Sequence, residues 1–250
     1  MLLAEKIAVV IPCLNEAETI ASLVSEIRKL LPRVFVIDDG SSDATGNLAA
    51  AAGAEVLRNN EPCGKGMALN TGLKRVHALG FEWALVMDGD GQHAPTDIPV
   101  FLEAMARAPL IIGNRMTDPG AMPWVRRTVN RWMSRRLSTL SGQNLPDTQC
   151  GFRLIELKYW APLDLRASHF ETESELLLAF IAAGHTVEFV PIQVIYKNER
   201  SKIHPVRDTV RWFHWLRKAR RIFDQRRIRP DLSSPPASPE LRNEPRPSLH

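Results

Sequence analysis

The chain has 250 residues, of which 44% are hydrophobic and 24% are charged, and its formal net charge at pH 7 is +4. This composition excludes a fibrous or largely disordered protein, and no apolar run reaches the roughly 20 residues that a membrane-spanning helix needs. The three cysteines are too few and too widely spaced for a disulfide-rich secreted domain, so a reducing, cytosolic environment is expected.

The first half of the chain alternates short β-branched runs with segments of helical periodicity, which is typical of βαβ units. Strands are predicted at Ile7–Ile11, Val34–Ile37, Ala54–Leu57, Trp83–Met87 and Leu110–Ile112, and helices at Glu16–Leu31, Thr45–Ala52 and Gly66–Leu79. Pro12 is expected to end the first strand, because proline cannot donate a sheet hydrogen bond. The sequence therefore predicts a Rossmann-like α/β fold in which helices flank a mostly parallel central sheet.

The second half of the chain differs in composition. Two amphipathic helices rich in arginine and tryptophan are predicted at about residues 124–140 and 206–224, with a strand-like segment at Thr186–Ile195 between them. Beyond residue 228 the sequence is dense in proline and polar residues, which is typical of disorder. We therefore expect a single domain over residues 1–228 and a disordered tail over residues 229–250.

Polar loops follow three of the predicted strands, at residues 12–16, 38–43 and 88–93. In open α/β sheets the ligand crevice lies outside the carboxyl ends of the strands. The convergence of three acidic loops at one edge therefore predicts a binding site.

Asp88 and Asp90 are two residues apart in a glycine-containing turn, where both carboxylates can reach one cation. Such hard oxygen ligands suit Mg²⁺ or Mn²⁺, with phosphates and water completing the coordination. An ordinary turn is the alternative, since Asp and Gly dominate turns. A calcium EF-hand fits poorly, because His93 and Pro99 stand where that loop needs glycine and glutamate.

A second acidic pair, Asp38 and Asp39, lies at the end of the second predicted strand, where a ribose or base would be held. Helix capping is the alternative, and it accounts better for the serines and Asp43 that follow. Lys65 lies between two glycines at a helix start, where free backbone amides favour anions. The surrounding sequence fits neither a P-loop nor a dinucleotide fingerprint, so Lys65 is expected to contact a phosphate or a sugar.

Four segments in this order resemble the family 2 glycosyltransferases of the GT-A fold: VVIPCLNE at 9–16, VIDDGSSDAT at 36–45, GKGMALNTG at 64–72 and MDGDGQH at 87–93. Within that family the chain is similar to the polyprenyl-phosphate glycosyltransferases, such as dolichyl-phosphate mannosyl- and glucosyltransferases. The segments that carry this closer similarity are IGNR at 112–115, DTQCGFRL at 147–154 and ERSKIHPVRD at 199–208. The resemblance covers about residues 6–216.

The resemblance implies a GT-A domain that binds a nucleotide-sugar donor and a divalent cation. Asp88 and Asp90 would coordinate Mg²⁺ or Mn²⁺, with Asp90 central to catalysis. The residues implied to bind the nucleotide sugar are Pro12, Asn15, Glu16, Asp38, Asp39, Lys65, Asp88 and Gln92. Those implied to handle phosphate groups of the donor and acceptor are Arg115, Arg153 and Lys202.

The expected reaction is an inverting transfer of a hexose, from UDP-glucose or a GDP-mannose-like donor, to a polyprenyl phosphate. A phosphate monoester has a second pKa of about 6, so it is already an anionic nucleophile and needs no strong base. The alternative is transfer to a hydroxyl of a saccharide, glycolipid or protein, with Glu173 as the base. The absence of a Q-x-x-R-W segment argues against a processive polysaccharide synthase.

The basic amphipathic helices are expected to lie in an anionic bilayer interface, which would make the protein peripheral at the inner face of the cell membrane. Ordinary packing of their apolar stripes on the core is one alternative. Nucleic acid is another, but no nucleic-acid motif accompanies the basic residues, so no nucleic-acid partner is expected. A non-catalytic basic binding protein is disfavoured because Asp88 and Asp90 are both present.

Overall fold

The computed structural model describes residues 3–120, 122–163, 165, 171–195, 211–217 and 219–220. Its strands are β1 (Ile7–Cys13), β2 (Val34–Asp38), β3 (Glu55–Arg58), β4 (Trp83–Val86), β5 (Leu110–Asn114), β6 (Arg153–Glu156) and β7 (Val187–Pro191). Together they form one sheet in the order β3-β2-β1-β4-β6-β5-β7. Strand β6 is antiparallel to both of its neighbours, and the other pairs are parallel. The predicted α/β fold with a mostly parallel sheet is confirmed.

The helices that flank the sheet are α1 (Ile20–Arg28), α2 (Thr45–Ala51), α3 (Lys65–Ala78), α4 (Ile98–Ala104), α5 (Trp124–Ser141), α6 (Leu157–Trp160) and α7 (Thr172–Ala182). Residues 211–217 are also helical. Of the second predicted amphipathic helix, residues 206–210, 218 and 221–224 lie outside the described residues, as does the predicted tail at 229–250. In the part of the chain that is described, no helix is long and apolar enough to cross a membrane.

The core lies on both sides of β1, whose seven residues are all buried. A strand that is apolar on both faces is typical of a parallel sheet covered by helices above and below. Helix α3 packs very closely on this strand: a Cβ on Gly72 would lie 2.5 Å from a methyl carbon of Val10. This close contact fixes the height of α3 above the sheet and so the position of Lys65 at its first turn.

Strand β1 continues past Pro12 to Cys13, so the prediction that Pro12 ends the strand is wrong. The amide of Val9 donates to the carbonyl of Arg33, next to β2, so amides at even positions of β1 point toward β4. The β4 ladder extends only to Val10. Pro12 therefore lacks its N–H on the side where no partner strand remains, and it still pairs in register with Ile37.

Helix α1 begins at Ile20 and not at Glu16, as the periodicity predicted. The four preceding residues form a turn tied to other loops. The amide of Glu16 donates to Oγ1 of Thr45 at 2.8 Å, and Oγ1 of Thr19 donates to the carbonyl of Gly89 at 2.6 Å. The segment between β1 and α1 is thereby held at the carboxyl edge of the sheet.

Candidate active site

The three predicted acidic loops meet at the carboxyl edge of β1, β2 and β4, and hydrogen bonds join them. The amide of Asn15 donates to Oγ of Ser41 at 2.9 Å, while the Asn15 side-chain carbonyl accepts from the amide of Ser42 at 2.9 Å. Asn15 has a φ of 54°, a left-handed conformation that asparagine tolerates better than most residues. The loop after β1 is therefore a fixed part of the site's rim. Pro12 itself is buried in the strand beneath it.

Asp39 organises the start of α3. Its carboxylate accepts hydrogen bonds from the side-chain amide of Asn59 at 2.8 Å and from the backbone amides of Cys63 at 2.9 Å and Gly64 at 2.8 Å. Charge-assisted bonds to backbone amides are among the stronger ones in proteins. Asp39 was predicted to bind the nucleotide; in the structure its carboxylate holds the backbone directly before Lys65.

Asp38 is fully buried, although the sequence predicted it at the nucleotide. Its Oδ1 accepts from the amide of Ser41 at 2.9 Å, and its Oδ2 would lie 2.7 Å from a Cβ on Gly46. The Asp38 side chain therefore shapes the turn after β2 from below, and Asp39 lies next to it.

Lys65 connects two carboxylates at the centre of the site. Its Nζ lies 2.7 Å from Oδ1 of Asp88 and 2.7 Å from Oε1 of Glu173. Burial alone would lower the pKa of Lys65, but the charges of Asp88 and Glu173 outweigh it and raise that pKa above its ordinary value. Lys65 is therefore a permanent positive charge between the two acids.

Asp88 and Asp90 have pKa values that are pushed apart. Burial would raise the pKa of Asp88, but the Lys65 ammonium outweighs it and lowers the value to about 2. For Asp90, burial and the negative charge of Asp88 both raise the pKa. A carboxylate whose charge is disfavoured by a neighbouring carboxylate is stabilised by an added cation, so this pair fits a hard divalent metal ion. Among the residues with described positions, no cluster of three or more His, Cys, Asp and Glu ligands occurs.

His93 lies beneath this pair and was missed as a site residue. Its ring is stacked on that of Phe152, with 5.2 Å between the centroids, and it is 4% exposed. Burial lowers its pKa, although the charges of Asp88 and Asp90 act in the opposite direction. A neutral imidazole therefore forms the floor of the site. The MDGDGQH segment contained this residue, but nothing in its pattern indicated that the ring would turn inward.

Arg115 is held at the site by Asp147, a residue that the sequence did not single out. The guanidinium donates from Nε to Oδ2 of Asp147 at 2.8 Å and from Nη2 to Oδ1 at 2.9 Å. Asp147 is completely buried, and burial would raise its pKa, but the charge of Arg115 outweighs this and lowers it. This bidentate pair fixes a cation close enough to Asp88 to lower that residue's pKa as well.

Arg153 was predicted to contact a phosphate, but the structure places it in the interior, where it is 2% exposed. Its guanidinium donates to the carbonyls of Cys150 at 2.8 Å, Thr148 at 3.0 Å and Glu173 at 2.6 Å. The geometry therefore gives Arg153 a positioning role: it ties the loop before β6 to the first turn of α7.

The remaining predicted residues lie at the rim or outside the described residues. Glu16 is partly buried on the loop after β1, next to Gly89, whose added Cβ would lie 3.4 Å from Cγ of Glu16. The amide of Gln92 donates to Oδ1 of Asp90 at 3.0 Å. Lys202 lies outside the described residues.

A GT-A-like sheet with paired carboxylates at its carboxyl edge defines a class of nucleotide-dependent transferases. The model of the family "Glycosyl transferase family 2" matches residues 8–161, which include all three acidic loops. The chain belongs to this family. The predicted family and its glycosyltransferase activity are thereby confirmed, and a relative named as a polyprenol monophosphomannose synthase confirms the resemblance to polyprenyl-phosphate transferases.

Relatives of known name support the same class. Glycosyltransferase AglJ of Haloferax volcanii is 30% identical over 210 residues, covering 82% of this chain and 68% of its own. The polyprenol monophosphomannose synthase of Mycolicibacterium smegmatis is 30% identical over 203 residues, covering 75% of this chain and 77% of its own. The crystal structure of glucosyl-3-phosphoglycerate synthase from Mycobacterium tuberculosis, in complex with Mn²⁺, UDP and glucosyl-3-phosphoglycerate, shares the fold. It has a TM-score of 0.62 and 20% identity, over 82% of this chain and 74% of that one.

Gly151 leaves the space that Asp88 occupies, so Gly151→Ala is expected to lower the rate of sugar transfer by about 100-fold. An added Cβ would lie 2.7 Å from Oδ2 of Asp88, and the carboxylate must move to relieve the clash. Gly120→Ala is the matched control, because its Cβ would have 3.4 Å to its nearest neighbour. Transfer rates and thermal unfolding of both variants test this. Wild-type activity in a folded Gly151→Ala protein would contradict the constraint on Asp88.

Proposed function

We propose that this protein transfers a hexose from a nucleotide sugar to the phosphate of a polyprenyl phosphate, with inversion at the anomeric carbon, at the cytosolic surface of the membrane. The observation that carries the proposal is the state of Glu173, the carboxylate that the competing reaction would need as a base. Oε1 of Glu173 is paired with Lys65, and Oε2 is buried with no hydrogen-bond partner among the described residues.

A general base must come within hydrogen-bond reach of the proton it removes. With one oxygen taken by an ammonium and the other shielded from solvent, Glu173 is poorly placed to meet the hydroxyl of an incoming acceptor. A phosphate monoester carries its negative charge at neutral pH and needs no such base. The site is therefore better suited to an anionic acceptor than to a sugar or protein hydroxyl. The relative named as a polyprenol monophosphomannose synthase supports the same choice.

The donor is proposed to be UDP-glucose, with GDP-mannose as the other candidate. UDP is present in the structure of glucosyl-3-phosphoglycerate synthase, whereas the monophosphomannose synthase is named for mannose. The nucleotide is proposed to lie along the loops that contain Asn15, Glu16 and Asp39. Its diphosphate would then lie toward Asp88 and Asp90.

Asp88 and Asp90 are proposed to hold Mg²⁺ or Mn²⁺, with Gln92 close by through its bond to Asp90. When bound, the cation would neutralise the charge that develops on the departing diphosphate. Arg115 adds a fixed positive charge beside it, and its bond to Asp147 means that little reorganisation is needed during the reaction. We propose that Lys202 contributes a further phosphate contact.

The membrane contact is proposed to involve the exposed start of α5. Trp124 is 76% exposed and Val125 is 47% exposed, and two arginines follow them. Residues 211–217 pack against the same helix, with Phe213 exposed by 42% and its ring 4.9 Å from that of Trp132. Exposed aromatic residues beside arginines suit an anionic bilayer interface. Residues 1–228 are proposed to form one domain, with 229–250 as a disordered tail.

The proposal is tested by incubating the full chain with radiolabelled UDP- and GDP-sugars, Mg²⁺ or Mn²⁺, and undecaprenyl phosphate. The matched acceptor is undecaprenol, which has the same chain and no phosphate. Label is expected to enter the lipid phase with one donor and only with the phosphorylated lipid. Transfer to undecaprenol, or transfer only to soluble saccharides, would contradict the proposal.

The effect of Glu173→Gln on the transfer rate distinguishes a lipid-phosphate acceptor from a hydroxyl acceptor. At saturating metal we expect the rate of transfer to the lipid phosphate to fall by much less than 100-fold, because that acceptor needs no base. Loss of a general base costs about 10²- to 10⁴-fold, so a loss of that size would favour a hydroxyl acceptor. Steady-state rates with wild type and Glu173→Gln, at equal metal saturation, decide between them.

A further inference from the structure

The Lys65 ammonium is shared between a proposed metal ligand and a residue that is not one. Asp88 and Glu173 each place one oxygen 2.7 Å from Nζ of Lys65. The side chains of Lys65 and Asp88 are each 25% exposed, and that of Glu173 is 7% exposed. Ion pairs in such partly desolvated surroundings are screened much less than surface pairs. A change in the charge of any one of the three groups is therefore felt by the other two.

The oxygen of Asp88 that Lys65 contacts, Oδ1, is itself buried. Both oxygens lie close to Gly151, where an added Cβ would be 2.7 Å from Oδ2 and 3.1 Å from Oδ1. A divalent cation on Asp88 would bring a second positive charge next to the Lys65 ammonium, and like charges at such a separation repel strongly.

The backbone that carries Lys65 and the backbone that carries Glu173 are both held in place, whereas the Lys65 side chain can rotate. The backbone at the start of α3 is held by the bond from Gly64 to Asp39, and the carbonyl of Glu173 is held by Arg153. The four-carbon stem of Lys65 has rotatable bonds, so its ammonium can leave Asp88 and remain on Glu173.

We propose that Lys65 is a tethered counter-ion that competes with the divalent cation for Asp88 and, when the cation binds, leaves Asp88 and stays paired with Glu173. Binding of the cation to Asp88 and exclusive pairing of Lys65 with Glu173 are then thermodynamically coupled. By reciprocity, whatever strengthens the Lys65–Glu173 pair also strengthens cation binding. This inference rests on the metal site of the proposed function, and it assigns Glu173 a positioning role through Lys65.

The shift also suits the proposed acceptor. If Lys65 left both carboxylates, Glu173 would present an unpaired negative charge beside an anionic phosphate, which costs free energy. Because Lys65 keeps its contact with Glu173 when it leaves Asp88, that charge stays neutralised in the state in which the cation holds the donor. The site can then take an anionic nucleophile after the metal has bound.

The test is a Mn²⁺ titration of the full chain without nucleotide, followed by electron paramagnetic resonance of the free ion. Lys65→Met is expected to bind Mn²⁺ at least about fivefold more tightly than wild type, and Glu173→Gln at least about fivefold more weakly. In the Lys65→Met background, Glu173→Gln is expected to change the affinity by less than about twofold, since Lys65 carries the coupling. Lys74→Met, which removes an exposed lysine from the same helix, is the matched control and is expected to bind like wild type.

Two results would overturn the inference. One is a Lys65→Met protein that binds Mn²⁺ no better than wild type. The other is a Glu173→Gln substitution that changes the Mn²⁺ affinity equally in the wild-type and Lys65→Met backgrounds. That result would mean that the Glu173 charge acts on the cation directly and not through Lys65. Either result leaves the metal site of the proposed function in place. Failure of every variant to bind Mn²⁺ would instead remove that metal site, and the inference with it. Thermal unfolding verifies the fold of each variant, and Lys65→Gln replaces Lys65→Met if the methionine variant does not fold.

Discussion

Asp90→Asn is expected to lower the rate of sugar transfer by about 1,000-fold. The same substitution is expected to raise the midpoint of thermal unfolding of the metal-free protein, measured in the presence of a chelator. The loss of activity follows from removing one of the two carboxylates proposed to hold the cation. The gain in stability follows from the raised pKa of Asp90, which burial and the charge of Asp88 produce. In the folded, metal-free protein that charge is destabilising, and asparagine removes it.

The stabilisation produced by Asp90→Asn is expected to depend on pH. Because the folded pKa of Asp90 lies above its unfolded value, the carboxyl destabilises the fold at neutral pH, where it is charged in both states. As the pH falls through the raised pKa, Asp90 takes up a proton and the penalty disappears. The difference in unfolding midpoint between Asp90→Asn and wild type should therefore shrink between neutral pH and about pH 4.

Glu103→Gln is the control for Asp90→Asn, because Glu103 is an exposed acid on α4. It should leave both the transfer rate and the unfolding midpoint close to wild type. Saturating Mn²⁺ should reverse the order of stability, since only the wild-type site gains from binding. A lower midpoint for Asp90→Asn in the chelator would contradict the electrostatic account of the site.

Arg153→Met is expected to destabilise the protein by about 3–5 kcal/mol, because it removes the common donor of three buried carbonyl groups. For a chain of this size such a loss lowers the unfolding midpoint by about 10 °C. Arg153→Lys should recover only part of it, since a point-like ammonium cannot reproduce the planar guanidinium fork. Thermal and denaturant unfolding measure both effects.

The same variant separates the two roles considered for Arg153. If Arg153 only contacted a substrate phosphate, Arg153→Met would lower the rate of sugar transfer and leave the midpoint of thermal unfolding unchanged. Arg107→Met is the control, because that arginine is exposed and pairs with Glu188 at the surface at 3.3 Å. Its substitution should cost less than about 1 kcal/mol. An Arg153→Met protein with the wild-type midpoint would restore the phosphate role that the sequence predicted.

Strands β1, β2, β4 and β5 were predictable because each is a short apolar run with polar residues soon after it. Strand β6 was missed for the opposite reason: it has four residues, begins with Arg153 and ends with Glu156. An arginine at the start of a short run does not suggest a buried strand. Arg153 can be buried in β6 only because the carbonyls of Thr148, Cys150 and Glu173 accept hydrogen bonds from its guanidinium. No local sequence pattern reveals those contacts.

The site was predictable to the extent that it follows strand ends. The loops with Asp39, Asp88 and Asp90 met at one edge as expected for parallel strands. The pairing of Lys65 with Glu173 joins segments far apart in sequence and depends on where α7 packs, so periodicity could not reveal it. Asp147 had one available signal, an acidic residue inside the DTQCGFRL segment, but its partner Arg115 lies in a different segment.

The most direct test of the central claim is the structure of the reaction product. Wild-type protein is incubated with UDP-glucose or GDP-mannose, Mn²⁺ and undecaprenyl phosphate, and the lipid product is analysed by proton and phosphorus NMR. We predict a hexose linked through its anomeric carbon to the phosphate, as a phosphodiester, with the anomeric configuration opposite to that of the donor. A product that retains the donor's configuration, or one in which the lipid phosphate remains a monoester and the sugar is attached to a hydroxyl, would contradict the account.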